Sequence, residues 1–285
     1  SVWWLGWKVT RQRILRMNLE KLKKIRCYLL DMDGTLYLGG QLLPGAADFL
    51  DLLQARGIPY FFLTNNSSRS KIEYAAKLTR LGIPAAEDQI FTSGEATAIY
   101  LNHRKPGASI FLAGTQALET EMQAHGFELV QEQPDFVVLG FDTTLTYLKL
   151  WKLCDFVRAG VPYIATHPDF NCPTENGYMP DIGAMIAFVE ASTGRRPDVI
   201  IGKPNLPVVE AVVEKTGFKA EEFGMIGDRL YTDIALGRAG LTTVLVLSGE
   251  TQIQDVPASE FVPDYVMQDL AELVEVYRSM PPDSF

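Results

Sequence analysis

Short apolar runs alternate with helix-patterned segments along this chain, and this alternation limits the folds that are open to it. Residues 27–32 form one apolar run, residues 46–54 carry the apolar spacing of a helix, and residues 59–64 form the next run. Apolar runs of this length are typical of buried parallel strands. A strand, a helix and a second parallel strand build a sheet covered by helices, so the pattern predicts an α/β fold.

The same alternation occurs in the middle of the chain and again near its end. The late part predicts strands at residues 199–202, 223–227 and 243–247, with helices at residues 206–215 and 234–239. The middle predicts strands at residues 109–113, 136–140 and 163–166, with helices near residues 115–124 and 146–158. We therefore predict a core domain of residues 18–100 and 197–285, an inserted domain of residues 101–196, and a leader of residues 1–17.

The leader has two interpretations. Trp3, Trp4 and Trp7 precede a group of basic residues, an order that suits an amphipathic helix on a membrane surface. Its apolar part is too short to span a bilayer, and its charge follows the apolar part instead of preceding it as in a signal peptide. The alternative, which we favour, is that these residues are non-native or follow an upstream translation start, with Met17 as the natural beginning.

Composition excludes some classes of protein. The formal net charge of -9 is spread without acidic blocks, which argues against a nucleic-acid binder because such proteins need clustered Lys and Arg. A small anionic substrate is still compatible, since local cations can override the global field. Cys27, Cys154 and Cys172 lie far apart and form no disulfide framework, so we expect buried thiols in a reducing, cytoplasmic protein.

Two carboxylates, Asp31 and Asp33, lie at the end of the first predicted strand. Residues two apart on a strand point the same way, so both acids can face one pocket while Met32 turns into the core. Two acids in one pocket repel each other unless a cation lies between them or one is protonated. Gly34 permits the tight turn that follows. The pair favours a metal site, and a surface Asx-turn is the alternative.

Polar residues also follow the second predicted strand. Thr64, Asn65 and Asn66 offer hydroxyl, amide and backbone donors that can hold phosphate oxygens at a strand end. The alternative is a helix N-cap, because Ser68 precedes a helical run. Both roles can hold at once.

Charged residues follow two later strands. Lys203 comes after strand 199–202, where its ammonium would offset the charge of a phosphate, and a solvated lysine is the alternative. Asp228 and Asp233 follow strand 223–227 as further carboxylates, with an acidic turn as the alternative. Because the carboxyl ends of parallel strands share one edge of a sheet, we expect these groups at the same edge as Asp31.

Four motifs in this order resemble those of the haloacid dehalogenase (HAD) superfamily of phosphatases: DMDGTLY, TNNSS, GKP and GDRLYTD. The resemblance covers nearly all of the chain after Met17. It implies a three-layer, Rossmann-like core with a parallel sheet and an inserted α/β cap domain of the C2 type. An insertion between the second and third motifs resembles subfamily IIA, the NagD-like and 4-nitrophenylphosphatase-like branch. Phosphonatases and dehalogenases carry their caps between the first and second motifs, which argues against both.

The resemblance also implies roles for the motif residues. The implied catalytic residues are the nucleophile Asp31 and the general acid and base Asp33. The implied binding residues are Thr64, Asn65, Asn66 and Lys203 for phosphate and Asp31, Asp33 and Asp228 for the metal, with Asp233 supporting the metal or the lysine. In this family the metal is Mg²⁺, held by the Asp31 carboxylate, the Asp33 backbone carbonyl, Asp228, the substrate phosphate and waters, and such oxygen ligands suit a small hard cation.

The implied activity is Mg²⁺-dependent hydrolysis of small phosphate monoesters through an aspartyl-phosphate. The leaving group stays open among nucleoside monophosphates, sugar phosphates, glycerol phosphate, phosphoglycolate and pyridoxal phosphate, and we expect activity on 4-nitrophenyl phosphate. A phosphotransferase and a phosphate- or nucleotide-binding module without turnover are the alternatives. The expected partner is a small phosphorylated metabolite, with no nucleic acid and no membrane, and caps of this branch often take part in homodimers.

One segment of the predicted cap resembles the substrate-specificity loop of this branch. His167 and Asp169 lie in it, at ATHPDFNCP. They can contact the leaving group or make only local hydrogen bonds, and the sequence leaves both interpretations open. The turn Pro180-Asp181-Ile182-Gly183 departs from the small glycine-rich turn of many relatives, so the substrate does not carry over.

Overall fold

The computed structural model describes residues 18–174 and 176–280. The predicted leader of residues 1–17 lies outside the described residues. The chain divides into two compact units. The first comprises the described residues up to Phe62 and from Phe218 onward, and the second comprises Leu63–Gly217.

Strands and helices alternate along the described chain. The strands are β1 (Cys27–Leu30), β2 (Tyr37–Leu38), β3 (Gln41–Leu42), β4 (Tyr60–Thr64), β5 (Ile90–Thr92), β6 (Ser109–Ala113), β7 (Glu128–Leu129), β8 (Phe136–Leu139), β9 (Tyr163–Ala165), β10 (Asn171–Thr174), β11 (Gly177–Pro180), β12 (Val199–Ile200), β13 (Phe223–Gly227), β14 (Thr242–Val246) and β15 (Tyr265–Met267). The α-helices are α1 (Glu20–Lys23), α2 (Ala46–Ala55), α3 (Lys71–Arg80), α4 (Ser93–Arg104), α5 (Gln116–Ala124), α6 (Tyr147–Arg158), α7 (Ile182–Thr193), α8 (Leu206–Thr216) and α9 (Leu270–Ser279).

A parallel sheet forms the centre of the first unit. Its strands run in the order β15-β14-β13-β1-β4. All residues of β1, β13 and β14 are buried, which is why these strands read as unbroken apolar runs in the sequence. The parallel pairing places Leu30 opposite Ile226. The residues that follow β1 and β13 therefore emerge side by side.

Helices and a short hairpin complete the first unit. α2 packs against α9, and Phe49 of α2 meets the rings of Tyr28 and Tyr277 in the core. The Tyr28 and Tyr277 hydroxyls are hydrogen-bonded to each other. The antiparallel pair β2 and β3 follows the DMDGT segment. This packing holds β1, and with it the segment that begins at Asp31, in one position.

The second unit contains a parallel sheet of its own. Its strands run in the order β12-β9-β8-β6-β7. α6 and α7 pack together, with Leu153, Val157 and Ile186 in the core formed with this sheet. The antiparallel hairpin β10–β11 precedes α7. The helix starts are capped by side chains, among them Thr115 for α5 and Asp181 for α7, and such caps satisfy backbone N–H groups that lack a partner in the first turn.

The predicted α/β fold with parallel sheets flanked by helices is confirmed. The strands predicted at residues 109–113 and 223–227 have the observed bounds of β6 and β13, and residues 234–239 form a 3₁₀ helix. The prediction that strand 199–202 belongs to the core sheet is wrong, because β12 pairs with β9 of the second unit. Periodicity shows that a run is a strand but does not say which sheet edge it joins. The predicted domain of residues 101–196 lies inside the second unit, and its edges stay a prediction.

None of the described helices combines the length and the apolar character that a membrane crossing requires.

Candidate active site

Three carboxylates meet at the ends of β1 and β13, and we call Asp31, Asp228 and Asp233 the acidic cluster. One oxygen of each lies within 4.8 Å of the other two. The parallel pairing of the two strands explains the meeting, because the Asp31 N–H donates to the carbonyl of Ile226 at 2.9 Å. The sequence predicted that these acids share one edge of a sheet. The structure of the first unit places them there.

Asp228 lies buried among the other carboxylates of the acidic cluster. Its Oδ2 accepts a hydrogen bond from the Glu250 N–H at 2.7 Å, while its buried Oδ1 has no hydrogen-bond partner among the described residues. Burial, and then the charges of Asp31 and Asp233, raise the pKa of Asp228 to about 8. A buried oxygen without a donor and a carboxyl held among like charges both fit a cation at this position.

Three glycines allow the backbone to close around these carboxylates. A Cβ on Gly249 would lie 2.0 Å from Asp228 Oδ2, and one on Gly34 would lie 2.3 Å from the same atom. A Cβ on Gly227 would lie 2.2 Å from Asp233 Oδ2. Side chains at these positions would displace the acids. Glycine at the strand ends is therefore required by close packing against the acidic cluster.

The fully buried Asp233 is held by the turn to which it belongs. Its Oδ2 accepts from the Arg229 N–H at 3.1 Å. Arg229 in turn pairs with Glu250, with Nε and Oε2 2.9 Å apart, and Glu250 also accepts from the Tyr231 hydroxyl at 2.7 Å. The segment of Glu250 is thus bound to the turn after β13. These contacts fit the predicted supporting role of Asp233.

Asp33 occupies a different environment from Asp31. It is exposed, whereas Asp31 is half-buried, and the Tyr37 hydroxyl is 3.5 Å from its Oδ2. The Gly34 N–H donates to the Tyr37 carbonyl at 2.8 Å, which closes the turn after Asp33. A carboxyl on a tight turn at the surface of the first unit can exchange protons with solvent. This arrangement suits an acid and base.

The second unit brings two other predicted residues together. The Asn65 Nδ2 donates to the Lys203 carbonyl at 2.9 Å, and the Lys203 N–H donates to Asn65 Oδ1 at 2.8 Å. We call this two-way pair the lysine clasp. Lys203 is buried, and its Nζ lies 3.4 Å from the Leu63 carbonyl. The clasp fixes the backbone from which the ammonium extends.

Asn65 has little hydrogen-bonding capacity left for a ligand. Besides the clasp, its Nδ2 lies 3.3 Å from each carboxylate oxygen of Asp169. An amide group offers two N–H donors, and both have protein acceptors here. The side chain of Asn65 is therefore better placed to position Lys203 than to hold phosphate directly. The backbone N–H groups of this segment are a separate source of donors.

The neighbouring residues of the TNNSS motif form a turn. The Asn66 Oδ1 accepts from the N–H and the hydroxyl of Ser68 at 2.8 and 2.7 Å, and the Asn66 N–H donates to Thr64 Oγ1 at 3.1 Å. The helix cap expected near Ser68 belongs instead to Ser70, which forms a capping box with Glu73 at the start of α3. Ser68 is occupied by the turn, so the helix begins two residues later.

The cap-loop residues His167 and Asp169 both make local contacts. His167 is fully buried and bonds Asp181, with Nε2 and Oδ1 2.9 Å apart. Atoms of His167, Asp169 and Asp181 lie within 4.8 Å of one another. All three side chains have hydrogen bonds to protein groups, including the contact of Asp169 with Asn65. This finding favours the local interpretation of His167 over contact with a leaving group.

Sequence reasoning missed several residues that hold the predicted ones. Gly249 and Glu250 shape the acidic cluster, and the signal for them was a glycine soon after strand 243–247. Asp181 was noted only as a departure from relatives, not as the partner of His167. Ser93, whose hydroxyl donates to the Asn65 carbonyl, had no sequence signal because it opens a helix far along the chain.

Comparison with protein families assigns the chain to a class. A family model described as haloacid dehalogenase-like hydrolase matches residues 28–128. A second model, for HAD-hydrolase-like proteins, matches residues 200–273. The chain therefore belongs to the haloacid dehalogenase-like hydrolases.

Curated relatives cover most of the chain. An acid sugar phosphatase from Staphylococcus aureus is 36% identical over 255 residues, which is 89% of this chain and 98% of the relative. A 5'-nucleotidase, YutF, from Bacillus subtilis is 36% identical over 254 residues, or 89% of this chain and 99% of the relative.

Solved structures show the same fold. The 4-nitrophenylphosphatase from Thermotoga maritima has a TM-score of 0.86 and 48% identity, covering 90% of this chain and 98% of its own. NagD from E. coli K-12 has a TM-score of 0.82 and 34% identity, covering 87% and 98%. A glycerol phosphate phosphatase from Mycobacterium tuberculosis, in complex with calcium, has a TM-score of 0.82 and 35% identity, covering 89% and 76%. The predicted family and its NagD-like branch are confirmed.

Proposed function

We propose that this protein is a phosphoric monoester hydrolase that cleaves small phosphorylated metabolites with Asp31 as the nucleophile. The observation that carries the proposal is the acidic cluster, in which Asp31 and the unsatisfied Asp228 oxygen lie at adjoining strand ends. The phosphatase names of relatives that match nearly the whole chain support the same reaction.

We propose Mg²⁺ as the cofactor of the acidic cluster. The Asp31 and Asp228 carboxylates and the Asp33 backbone carbonyl would hold it, as the family resemblance implies. Oxygen donors of this kind suit a hard divalent cation, and a phosphatase relative forms a complex with calcium. When bound, the metal lowers the electrostatic barrier between the anionic nucleophile and the anionic phosphate.

The side chains divide the work of a two-step displacement. An Asp31 oxygen forms a bond to phosphorus as the bond to the leaving oxygen breaks, and Asp33 gives its proton to that oxygen. Asp33, now a carboxylate, takes a proton from water as the water oxygen attacks the aspartyl-phosphate. Inorganic phosphate leaves and Asp31 is restored. The Lys203 ammonium offsets negative charge on the phosphoryl oxygens, and the segment of Thr64, Asn65 and Asn66 supplies donors other than the side-chain amide of Asn65.

The substrate class follows from the relatives rather than from the site. Their names cover sugar phosphates, nucleotides, glycerol phosphate and 4-nitrophenyl phosphate. We propose a substrate among such small monoesters. We also propose that the enzyme acts in the cytoplasm, in keeping with three cysteines that form no disulfide, and that it works without nucleic acid or membrane. The predicted homodimer is tested by size-exclusion chromatography with light scattering.

Phosphate release tests the proposal. The assay uses 4-nitrophenyl phosphate and a panel of natural monoesters, with Mg²⁺ or chelator. We expect Mg²⁺-dependent release by the wild type and none by Asp31→Asn. Asp33→Asn should still bind substrate, with kcat lower by about 10²- to 10⁴-fold. Asp51→Asn, an exposed change on α2 of the same unit, is the matched control and should retain wild-type kinetics.

Other outcomes would point to the alternatives. Loss of substrate without free phosphate, together with a phosphorylated acceptor, would indicate a phosphotransferase. Mg²⁺-dependent binding of monoesters without turnover of any of them would indicate a binding module. Full activity in Asp31→Asn would contradict the assignment of the nucleophile.

A further inference from the structure

A buried histidine and aspartate of the second unit have no part in the mechanism described above. His167 is 0% exposed and Asp181 is 3% exposed. Their Nε2 and Oδ1 atoms are 2.9 Å apart. Both ring nitrogens of His167 have protein partners, Nε2 in Asp181 and Nδ1 in Thr166. Burying an ionisable pair such as His167 and Asp181 costs free energy, and a role in positioning neighbouring groups would explain why it is buried.

The hydrogen bonds around His167 define one tautomer. The Asp181 Oδ1 accepts from the Ile182 N–H at 2.5 Å and is an acceptor towards the histidine, so Nε2 carries the proton. In the neutral imidazole Nδ1 is then an acceptor, and Thr166 Oγ1 lies 2.9 Å from it. Ser67 Oγ lies 3.0 Å from Thr166 Oγ1. The chain of bonds thus runs from the start of α7 to the TNNSS segment.

The hydrogen-bonded residues from Asp181 to Ser67 also contact the lysine clasp, through the packing of Gly202. The Gly202 N–H donates to the Thr166 carbonyl at 2.8 Å. A Cβ on Gly202 would lie 2.6 Å from Asn65 Oδ1 and 2.8 Å from the Cβ of His167. Gly202 is therefore pressed between the histidine and the clasp. A shift of His167 has to move the residue directly before Lys203.

Ser93 gives a second connection between these groups. Its hydroxyl donates to the backbone carbonyl of Asn65, and its oxygen lies 3.4 Å from His167 Nδ1. The lysine clasp and His167 thus share Ser93 and Gly202 as neighbours. Protein interiors are too densely packed for one of them to move alone.

We propose that the His167–Asp181 pair is a positioning device for the Lys203 ammonium, acting through Gly202 and the lysine clasp. The proposal rests on the proposed function, in which Lys203 offsets the charge of the substrate phosphate. His167 is a positioning residue and touches no reacting atom. Displacement of a charged group by about 1 Å costs up to about 100-fold in rate. Loss of the pair should therefore weaken phosphate binding and slow turnover together.

Two substitutions of His167 separate positioning from bulk stability. His167→Ala removes both ring nitrogens, whereas His167→Gln can place an N–H donor near the position of Nε2 and keep the bond to Asp181. We expect His167→Ala to raise the inhibition constant of inorganic phosphate and lower kcat/KM by about 10- to 100-fold. His167→Gln should recover most of this loss. A merely structural role would reduce the amount of active enzyme without changing the inhibition constant.

Asp142→Asn is the matched control in the same unit. Asp142 is also buried and pairs with a cation, with its Oδ2 2.6 Å from Lys149 Nζ, but it makes none of the contacts of the clasp. We expect this variant to lose stability and to keep the wild-type inhibition constant for phosphate. If His167→Ala fails to fold, Asp181→Ala removes the same bond from its acceptor side and leaves the imidazole in place.

Hydrogen exchange of the Lys203 amide reports on the clasp without any assay of activity. We expect faster exchange in His167→Ala and Asp181→Ala, and wild-type exchange in Asp142→Asn. Unchanged exchange together with an unchanged inhibition constant would overturn the positioning proposal. Wild type and Asp31→Asn are assayed alongside. Failure of the proposed function would appear there, as activity that does not depend on Asp31, while the exchange result still decides the role of His167.

Discussion

At the scale of single residues, the acidic cluster depends on glycines, whose lack of a side chain leaves room for the Asp228 carboxylate. Asp228 keeps a buried oxygen without a donor, and its carboxyl is enclosed by the backbone of Gly34 and Gly249. An unsatisfied buried carboxylate is costly unless a cation or proton compensates it. The glycines therefore determine where a metal can be held, although they contribute no ligand.

Gly249→Ala tests this role. The added Cβ would lie 2.0 Å from Asp228 Oδ2 and 2.6 Å from its Cγ, so the carboxylate must move. We expect the Mg²⁺ concentration for half-maximal activity to rise by about 10- to 100-fold, as for the loss of groups that orient metal ligands. Titration of the activity with Mg²⁺ measures the change.

Gly40→Ala provides the matched control for that substitution. A Cβ there has no atom within 4 Å among the described residues, and the residue lies in the same unit. Its Mg²⁺ titration should match the wild type. An unchanged titration for Gly249→Ala would show that the backbone near Asp228 gives way easily.

At the scale of secondary-structure elements, four helices of the second unit enclose a group of charges. Glu95 on α4 is paired with Lys71 on α3 and with Lys215 on α8. Glu121 on α5 faces the same group and accepts from Thr92 Oγ1 at 3.2 Å. Burial is the main cause that raises the pKa of Glu121 to about 7, and the negative charge of Glu95 adds to it.

The raised pKa of Glu121 predicts a pH-dependent stability. Its ordinary pKa of 4.5 applies in the unfolded chain, so the folded protein binds the proton more tightly between pH 4.5 and about 7. This contribution is fully present below the lower value and is lost as the pH rises through the higher one. Glu121→Gln, which stays neutral, should lose less stability than the wild type between pH 5 and pH 8. Urea unfolding at several pH values measures the difference.

Glu128→Gln is the control, since Glu128 is exposed on β7 of the same unit. Its unfolding curves should follow those of the wild type over the whole pH range. Parallel curves for Glu121→Gln and wild type would contradict the raised pKa of Glu121.

At the scale of the whole molecule, metal binding should couple to folding. The pKa of Asp228 is raised from 3.8 to about 8 by burial and by the neighbouring acids. The metal-free protein therefore loses stability as the pH rises from about 4 through 8, because the folded state must give up a proton that it binds tightly. A cation that binds only the folded state restores stability, by about 2.7 kcal/mol at a concentration of 100 times Kd.

Thermal unfolding with Mg²⁺ and with chelator tests this coupling. We expect Mg²⁺ to raise the Tm of the wild type more at pH 8 than at pH 6, since the metal competes with the proton at Asp228. Asp228→Asn should be at least as stable as the wild type at pH 8 in chelator, and should show no response to Mg²⁺. An equal response of both proteins would place the metal elsewhere.

Much of the molecule follows from local pattern. Apolar runs and the polar residues between them predicted the alternation of strands and helices and the bounds of β6 and β13. They also predicted that Asp31 and Asp228 lie at strand ends. Local pattern suffices for these features because a strand that is buried on both faces has an almost continuous run of apolar residues. The order of the four motifs was enough to identify the family.

Contacts between distant segments required the tertiary structure. Which surfaces pack together decides that β12 joins the sheet of the second unit. It also decides the two-way bond between Asn65 and Lys203 and the burial of His167 against Asp181. The same holds for Gly249, whose closeness to Asp228 comes from two strand ends that are remote along the chain. Periodicity records whether a residue faces a core, whereas the identity of its neighbour is decided only when the elements pack.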